Sequence, residues 1–192
     1  NMILKCPSSA LFLTSGKNFS DKRLCNMFSR LSWNKIEDSI FKAHMNSYFE
    51  QQSLINKITS GEGNILPPDT RFIIIDSISH NFRYSLIKVS NIKKRARLIN
   101  TFYEKQIFPL IMMAGRLNIF LIFVHEASRN PELDKNVKFL HKVFDRIQDS
   151  VKINMKLNPI NSLSRRGVMT VDYKDHTLNY KYKINTEGIE IK

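Results

Sequence analysis

The stretch Arg71-Phe-Ile-Ile-Ile-Asp-Ser77 is an apolar run that ends in an aspartate, and a second run, Ile119-Phe-Leu-Ile-Phe-Val-His125, follows it along the chain. Short runs rich in Ile and Phe with polar residues at both ends are typical of strands buried on both faces. A helical segment between them predicts a strand–helix–strand unit with a parallel sheet. Ligands bind beyond the carboxyl ends of such strands, so Asp76 and His125–Glu126 mark the predicted edge for a site. Taken alone, Asp76 is a weak signal, and a residue that only caps or turns the chain explains it until other residues join it.

The composition limits the class of protein. With 192 residues, 42% of them hydrophobic, the chain is long and apolar enough for a full core, and we predict one α/β domain over residues 1–192. Cys6 and Cys25 show no metal-ligand spacing and no signal-peptide pattern precedes them, so we expect a reducing intracellular compartment. No apolar run reaches the roughly eighteen residues of a membrane span, so we expect a soluble protein without membrane contact.

The charge balance is strongly basic, because 30 Lys and Arg against 17 Asp and Glu give a net charge of +13. Such an excess favours polyanions, and nucleic acid is the usual one for an intracellular protein. The excess is concentrated in three clusters: Lys88, Lys93, Lys94, Arg95 and Arg97; Arg129, Lys135, Lys138 and Lys142; and Arg165 with Arg166. A solvated face explains any one cluster more simply, whereas three clusters around one sheet favour a polyanion.

The remaining patterns give the order of the elements. They predict strands at Ala10–Thr14 and Ile40–His44, helices from Ser20 to about Leu31 and over Tyr48–Ser60, and a loop over 61–70. A helical pattern from Asn91 to Arg116 contains Pro109, which we expect to kink or restart the helix. The polar stretch 128–149 has room for a short helix. Alternating stretches predict half-exposed antiparallel strands at Ser150–Leu157, Gly167–Tyr173 and Asn179–Asn185, with a hairpin turn at 174–177.

A family resemblance emerges from this order. Ile73-Ile-Ile-Asp-Ser77 ends in Asp-Ser, a long helix and a second buried strand follow, and Tyr182-Lys-Ile-Asn-Thr-Glu-Gly-Ile189 closes a terminal strand and hairpin. In this the chain resembles the core ATPase domain of the RecA/RadA recombinase superfamily, especially the eukaryotic and archaeal strand-exchange recombinases and their paralogues. The resemblance covers Ala10 to Ile191 and rests on order and spacing. It implies an α/β, RecA-like P-loop NTPase core with a mostly parallel sheet and antiparallel C-terminal strands.

The chain departs from the family where the family carries out its ATP chemistry. Active members have a Gly-rich P-loop with Gly-Lys-Ser/Thr, also called the Walker A segment, and the sequence 1–192 contains no such motif. Its Gly16-Lys17 pair looks superficially similar but is followed by Asn18 instead of Ser or Thr. Placed by the resemblance, Gly16 stands where the family has the glutamate that activates water. His125–Glu126 stands where active members have the Asn-Gln pair that senses the γ-phosphate. Asp76 is then a vestigial Walker B aspartate, and we expect no catalytic residue, cofactor or metal.

The resemblance therefore implies a noncatalytic recombinase paralogue, similar to subunits of Shu-type and other recombinase-paralogue complexes. We expect it to act in homologous-recombination DNA repair, in the nucleus, by assisting assembly of the recombinase filament. The implied partners are a second paralogue in a hetero-oligomer, the recombinase filament and single-stranded DNA. A sheet without the P-loop strand would expose an apolar edge, which invites a partner strand.

The implied DNA contacts lie in two loops, predicted at Arg83–Ser90 and Ala127–His141, and in the basic residues beside them. Lys and Arg there would bind phosphates without sequence preference. Tyr84 would stack on a base, whereas core packing explains Phe82 better. The candidates are Arg83, Tyr84, Lys88, Lys93, Lys94, Arg95, Arg97, Arg129, Lys135 and Lys138. The run 93–97 is also typical of a nuclear-import signal or of the solvated face of a helix.

Two other functions stay open. One is an active RecA-like DNA-dependent ATPase whose P-loop lies upstream, since only about nine residues precede the first predicted strand. The other is a pure scaffold that contacts protein and never DNA. ATP binding separates the first of these from a noncatalytic subunit, because a ligand of the native state raises the melting temperature.

Overall fold

A computed structural model describes residues 8–16, 20–27, 33, 36–125, 143, 146–147, 153–161, 163–185 and 188–191. It shows a mixed α/β chain with a four-stranded parallel sheet and a separate four-stranded antiparallel sheet. The chain divides into two compact units, the first containing Asn1–Phe19 and Lys35–Arg146, the second Ser20–Asn34 and Ile147–Lys192. That residues 1–192 form one domain stays a prediction.

The first unit contains the parallel sheet, which confirms the sheet predicted from the two apolar runs. Its strands are β1 (Ser9–Thr14), β2 (Ile40–His44), β3 (Thr70–Asp76) and β4 (Phe120–Val124), in the order β2-β1-β3-β4. Every neighbouring pair is parallel. All four strands therefore end at one edge of the sheet, and the residues that follow them meet there.

The helices begin and end at residues that suit those positions. They are α1 (Asp21–Met27) in the second unit, and α2 (Tyr48–Ser60), α3 (His80–Ile87), α4 (Ile92–Phe102) and α5 (Phe108–Leu117) in the first. The Ser47 hydroxyl accepts a hydrogen bond from the Glu50 amide at the start of α2, and Gly61, with φ of 75°, ends that helix. Ser20 precedes α1 as predicted, and the predicted end near Leu31 lies outside the described residues.

The segment between α4 and α5 shows the effect of Pro109. A π-helical turn, Tyr103–Ile107, separates the two helices, and the Phe108 amide donates to the Tyr103 carbonyl. Proline lacks an N–H and clashes with the carbonyl four residues before it, so the helix widens ahead of Pro109. The expected interruption at Pro109 is confirmed.

One predicted loop is wrong. Arg83–Ser90 was expected to be a loop, but α3 includes its first five residues and runs to Ile87. Phe82 and Leu86, four residues apart, are both fully buried and give α3 an apolar stripe. The Phe82 ring stacks on the equally buried Phe102 ring of α4, with centroids 4.2 Å apart, which confirms that Phe82 packs in the core.

The two faces of the parallel sheet differ in burial. Leu11 and Leu13 of β1 lie opposite Ile73 and Ile75 of β3, and all four are at most 5% exposed. On the other face, the β4 side chains of Phe120, Ile122 and Val124 are 58%, 44% and 37% exposed. The prediction that both apolar runs are buried on both faces is therefore wrong for β4. These β4 side chains are exposed because β4 is an edge strand, which pairs only with β3 in the described part of the sheet.

The second unit contains the antiparallel strands. They are β5 (Ile153–Pro159), β6 (Arg166–Tyr173), β7 (His176–Asn185) and β8 (Gly188–Ile191), each paired with the next. Lys174 in the β6–β7 turn has a φ of 52°, as tight hairpin turns require, so the hairpin predicted there is confirmed. The antiparallel C-terminal strands are confirmed too, but they form a sheet of their own. The polar stretch 128–149 lies almost wholly outside the described residues.

Candidate functional site

The candidate site is the edge at which the four parallel strands end. Asp76, the last residue of β3, is exposed and lies opposite Thr14 of β1 and Val124 of β4. His44 ends β2 and His125 directly follows β4. The structure therefore brings Asp76 and His125 to the same edge of the sheet, as the sequence predicts.

Two serines join the segments that follow β1 and β3. The Ser15 hydroxyl donates to the Ser77 carbonyl at 2.6 Å, and the Ser77 amide approaches the same hydroxyl at 3.2 Å. The Ser15 amide also donates to the Asp76 carbonyl at 2.8 Å. The peptide bond between Asp76 and Ser77 is cis. These contacts fix the backbone on both sides of Asp76.

Both histidines at the strand ends are held through Nδ1. His125 Nδ1 lies 2.7 Å from the Ser79 hydroxyl, and His44 Nδ1 lies 2.9 Å from the Thr14 hydroxyl. A serine hydroxyl this close to an imidazole resembles a nucleophile with its base. Ser79, however, is completely buried, so a substrate has no access to its hydroxyl. The Ser79–His125 pair therefore orients His125 rather than forming a catalytic dyad.

Gly16 allows the closest approach at this edge. Its φ is +86°, a conformation that side-chain-bearing residues rarely adopt, and a Cβ atom there would lie 2.9 Å from Cε1 and Nε2 of His80. The His80 ring in turn meets the Tyr84 ring edge-on, with centroids 5.1 Å apart. A side chain at position 16 would require the His80 ring to move, and the positive φ disfavours one whatever the space.

A layer of buried amides supports the edge from within. Gln51 Nε2 donates to the Ile78 carbonyl at 3.0 Å and to Gln106 Oε1 at 2.8 Å, and Asn81 Nδ2 donates to the Met45 carbonyl at 2.8 Å. These bonds tie α2, α3 and the π-helical turn to the segments after β2 and β3. Prediction from sequence missed this layer, although Gln51 falls on the buried stripe of α2 with Tyr48, Ile55 and Ile58.

Two polar atoms in this layer lack a hydrogen-bond partner among the described residues. They are the Tyr48 hydroxyl and Gln106 Nε2, both buried. Burial raises the pKa of Tyr48 to about 12, and a weaker opposing effect of Gln106 lowers it. The Tyr48 hydroxyl and the Gln106 amide therefore lie near enough to interact, without the geometry of a hydrogen bond. Tyr48 stays neutral at physiological pH.

The predicted DNA-binding residues that the structure describes lie on two consecutive helices or in the turn between them. Arg83 and Tyr84 belong to α3, Lys88 follows it, and α4 carries the remaining ones, Lys93, Lys94, Arg95 and Arg97. Tyr84 is 62% exposed, whereas Arg95 is half-buried and its Nε donates to the Val89 carbonyl. Arg129, Lys135 and Lys138 lie outside the described residues.

The exposed cations of α4 share one face, here named the α4 basic face and defined as Lys93, Lys94 and Arg97. All three are exposed, while Ile99 and Phe102 are buried on the opposite side of the helix. Side chains three and four residues apart are neighbours on a helix, and like charges there cost about 0.2–0.5 kcal/mol per pair. The sequence of α4 contains no acidic residue to offset this repulsion. A bound polyanion would offset it.

A cavity of about 420 Å³ lies elsewhere in the first unit, between the end of α2 and the loop before β3. It is lined by Lys57, Ile58, Gly61, Asn64, Ile65, Leu66 and Pro68. None of these is a predicted site residue, and the cavity is at the end of α2 rather than beside Asp76. We favour the strand-end edge as the candidate site because its backbone and side chains are connected by specific hydrogen bonds.

Two further observations concern the part of the chain that the structure describes. Its His, Cys, Asp and Glu side chains form no group of three or more that would hold a metal ion. None of its helices combines the length and apolar character needed to cross a membrane.

Neither the known protein families nor the curated proteins include a match to this sequence.

Proposed function

We propose that this chain is a noncatalytic paralogue of the RecA/RadA recombinases with a RecA-like core. In this proposal it acts in homologous-recombination DNA repair in the nucleus, where it binds a partner paralogue and single-stranded DNA and assists assembly of the recombinase filament. The proposal is supported first by the strand-end edge, because the family's ATP chemistry would take place there.

Gly16 carries the proposal. The resemblance aligns it with the glutamate that activates water in active members, and the His80 ring occupies the space that a side chain at position 16 would need. His125, aligned with a γ-phosphate sensor, is held by the buried hydroxyl of Ser79. Asp76 keeps its place at the end of β3, but the aligned positions around it have neither the glutamate nor the Asn-Gln pair of active members. A strand-end edge arranged in this way suits binding better than hydrolysis.

One apolar face of β4 is exposed, and β4 lies at an edge of the described sheet, which together support a protein partner there. Phe120, Ile122 and Val124 alternate along this strand, and by register they share a face with Phe72 and Ile74 of β3. Parallel sheets usually have both faces covered, and apolar strand edges favour pairing with another chain. We therefore place the contact with the second paralogue at β4. Co-purification from the native source would identify that partner by mass.

The α4 basic face supports the DNA contact. Three exposed cations without an acidic neighbour on their own helix favour phosphate groups, and Tyr84 on α3 has an exposed ring that can stack on a base. The contacts would be independent of sequence, because phosphates carry no base information.

The experiment is fluorescence anisotropy with a labelled single-stranded oligonucleotide at several salt concentrations. The test variant changes Lys93, Lys94 and Arg97 to Ala, and the matched control changes three exposed cations elsewhere in the first unit, Lys57, Lys105 and Arg116. Each lost phosphate contact lowers the slope of log affinity against log salt by about 0.7, so the test variant should lose roughly 2. Equal binding by wild type and test variant would show that the α4 basic face does not contact DNA, and would favour a pure protein scaffold.

A further inference from the structure

We infer that the antiparallel sheet carries a second nucleic-acid-binding surface, formed by Lys156, Arg166, Lys181 and Lys183. We name it the basic sheet face. In the β6–β7 register Arg166 lies directly opposite Lys183, and Val168 lies opposite Lys181. Lys156 of β5 lies opposite Thr170 of β6. Directly opposed residues point to the same side of a sheet, so all four cations share one face.

The cations are close together and open to solvent. Alternate residues on one strand are about 7 Å apart and neighbouring strands about 4.8 Å apart, so Arg166, Lys181 and Lys183 form a compact group. All four basic side chains are exposed, and so is Arg165 in the loop before β6. Together they present a positive surface large enough to contact several phosphates.

Stability of the sheet does not explain this arrangement. Like charges directly opposite each other on neighbouring strands are unfavourable, as Arg166 and Lys183 are here. The described strands carry two acidic residues on this face, and Glu190, opposite Lys183, is the one beside the Arg166–Lys183 pair. Asp172 shares the face but lies towards the β6–β7 turn, where its carboxylate accepts a hydrogen bond from Thr177 Oγ1 at 2.8 Å. An anionic ligand would relieve the repulsion that remains.

The polar groups between the cations fit the sugar–phosphate backbone of a nucleic acid. Thr170 Oγ1 donates to Asn179 Oδ1 at 2.9 Å and lies 3.4 Å from Asn158 Nδ2, which makes a row of amides and a hydroxyl across three strands. Amide and hydroxyl groups commonly contact phosphates and sugars beside Lys and Arg. A membrane-binding face would instead interleave its cations with several apolar side chains, and Val168 is the one apolar residue on this face of the described strands.

The inference is independent of the resemblance to recombinases and of the α4 basic face. Sequence reasoning recognised Arg165 and Arg166 as a basic cluster but assigned no site to them. It did not connect them with Lys156, Lys181 and Lys183, because only strand register places these residues side by side.

The test uses the full chain and a labelled single-stranded oligonucleotide. The variant changes Arg166, Lys181 and Lys183 to Ala, and the control is the triple variant of Lys57, Lys105 and Arg116 with the same loss of charge. We expect the sheet variant to lose about tenfold or more in affinity at low salt and roughly 2 in the salt slope, with the control near wild type. A variant with Arg166 changed to Lys and both lysines changed to Arg should keep wild-type binding.

Two results would overturn the inference. One is equal oligonucleotide affinity and salt slope in wild type and sheet variant. The other is binding to vesicles containing phosphatidylserine without binding to the oligonucleotide, which would assign the surface to a membrane and point to Ile160 and Leu163, 75% and 93% exposed in the β5–β6 loop. Loss of binding in the sheet variant alone, with the α4 variant unchanged, would support this inference and contradict the proposed α4 contact.

Discussion

Gly16 lies so close to His80 that a Cβ atom on the glycine would come within 2.9 Å of the imidazole ring. The glycine also has a φ of +86°, so its backbone conformation disfavours a side chain even where the His80 ring moves aside. Ser15, beside it, anchors the same segment to Ser77. The segment after β1 thus lies against the start of α3 and is held there through Ser15.

Replacement of Gly16 by Ala should destabilise the protein by about 2 kcal/mol, since an αL conformation costs a non-glycine residue about 1–2 kcal/mol and the methyl group also meets His80. Urea denaturation measures the change. The matched control is Gly61→Ala, because Gly61 has a φ of +75° and open space where its Cβ would lie. Gly16→Ala should cost more than Gly61→Ala, and His80→Ala should reduce the difference. Equal costs would show that the contact with His80 has no energetic effect.

Addition of ATP and magnesium should neither raise the melting temperature nor lead to hydrolysis. A ligand that binds only the native state must raise the melting temperature. Under the proposed function, Gly16 and His125 stand where active recombinases have a carboxylate and an amide sensor, so we expect no such ligand effect from ATP. Differential scanning fluorimetry and a phosphate-release assay check the two parts. Magnesium-dependent turnover that Asp76→Ala abolishes would establish the active ATPase instead.

Phe82 and Tyr84 should respond to substitution in opposite ways, although both lie on α3. Phe82→Ala should lower the free energy of unfolding by about 3–5 kcal/mol, because it removes a fully buried ring stacked on Phe102. Tyr84→Ala should change it by no more than about 0.5 kcal/mol, because the Tyr84 ring is 62% exposed. Under the proposed function, Tyr84→Ala should weaken oligonucleotide binding. Unchanged binding would leave Tyr84 as a packing partner of His80.

The parallel sheet was predictable because each strand can be recognised from its own stretch of sequence, as an apolar run that ends in polar residues. The strand limits agree within one residue for β1, β2 and β3. The position of β4 at the edge was not predictable from its residues, since the same apolar run suits a central strand. Among the described strands β4 pairs with β3 alone, and Phe120 is 58% exposed. Edge position is a property of the sheet and not of the strand.

The support of the candidate site was harder to predict than its location. Gln51 interrupts an apolar stripe, which is a visible signal, but its partners Ile78 and Gln106 lie 27 and 55 residues away in sequence. The limits of α3 were missed because a loop was expected at Arg83–Ser90, where α3 runs to Ile87. The basic sheet face was missed for a similar reason, since its cations come from three strands. Sequence patterns report neighbours along one element, whereas these sites are made between elements.

Tyr48 should make the stability of the protein depend on pH above about 10. Burial raises the pKa of Tyr48 in the folded protein to about 12 from its ordinary value of 10.0, so between these values the native state holds a proton that the unfolded state has released. The free energy of unfolding should therefore fall as pH rises through this window, by up to about 1.4 kcal/mol per pH unit, with no contribution from Tyr48 at lower pH.

Urea denaturation of wild type and Tyr48→Phe from pH 8 to about pH 11.5 tests this pH dependence. The variant should be at least as stable as wild type at pH 8, because it removes a buried hydroxyl without a hydrogen-bond partner, and it should lose less stability at high pH. Parallel pH curves for the two proteins would show that the Tyr48 hydroxyl is solvated in the native state.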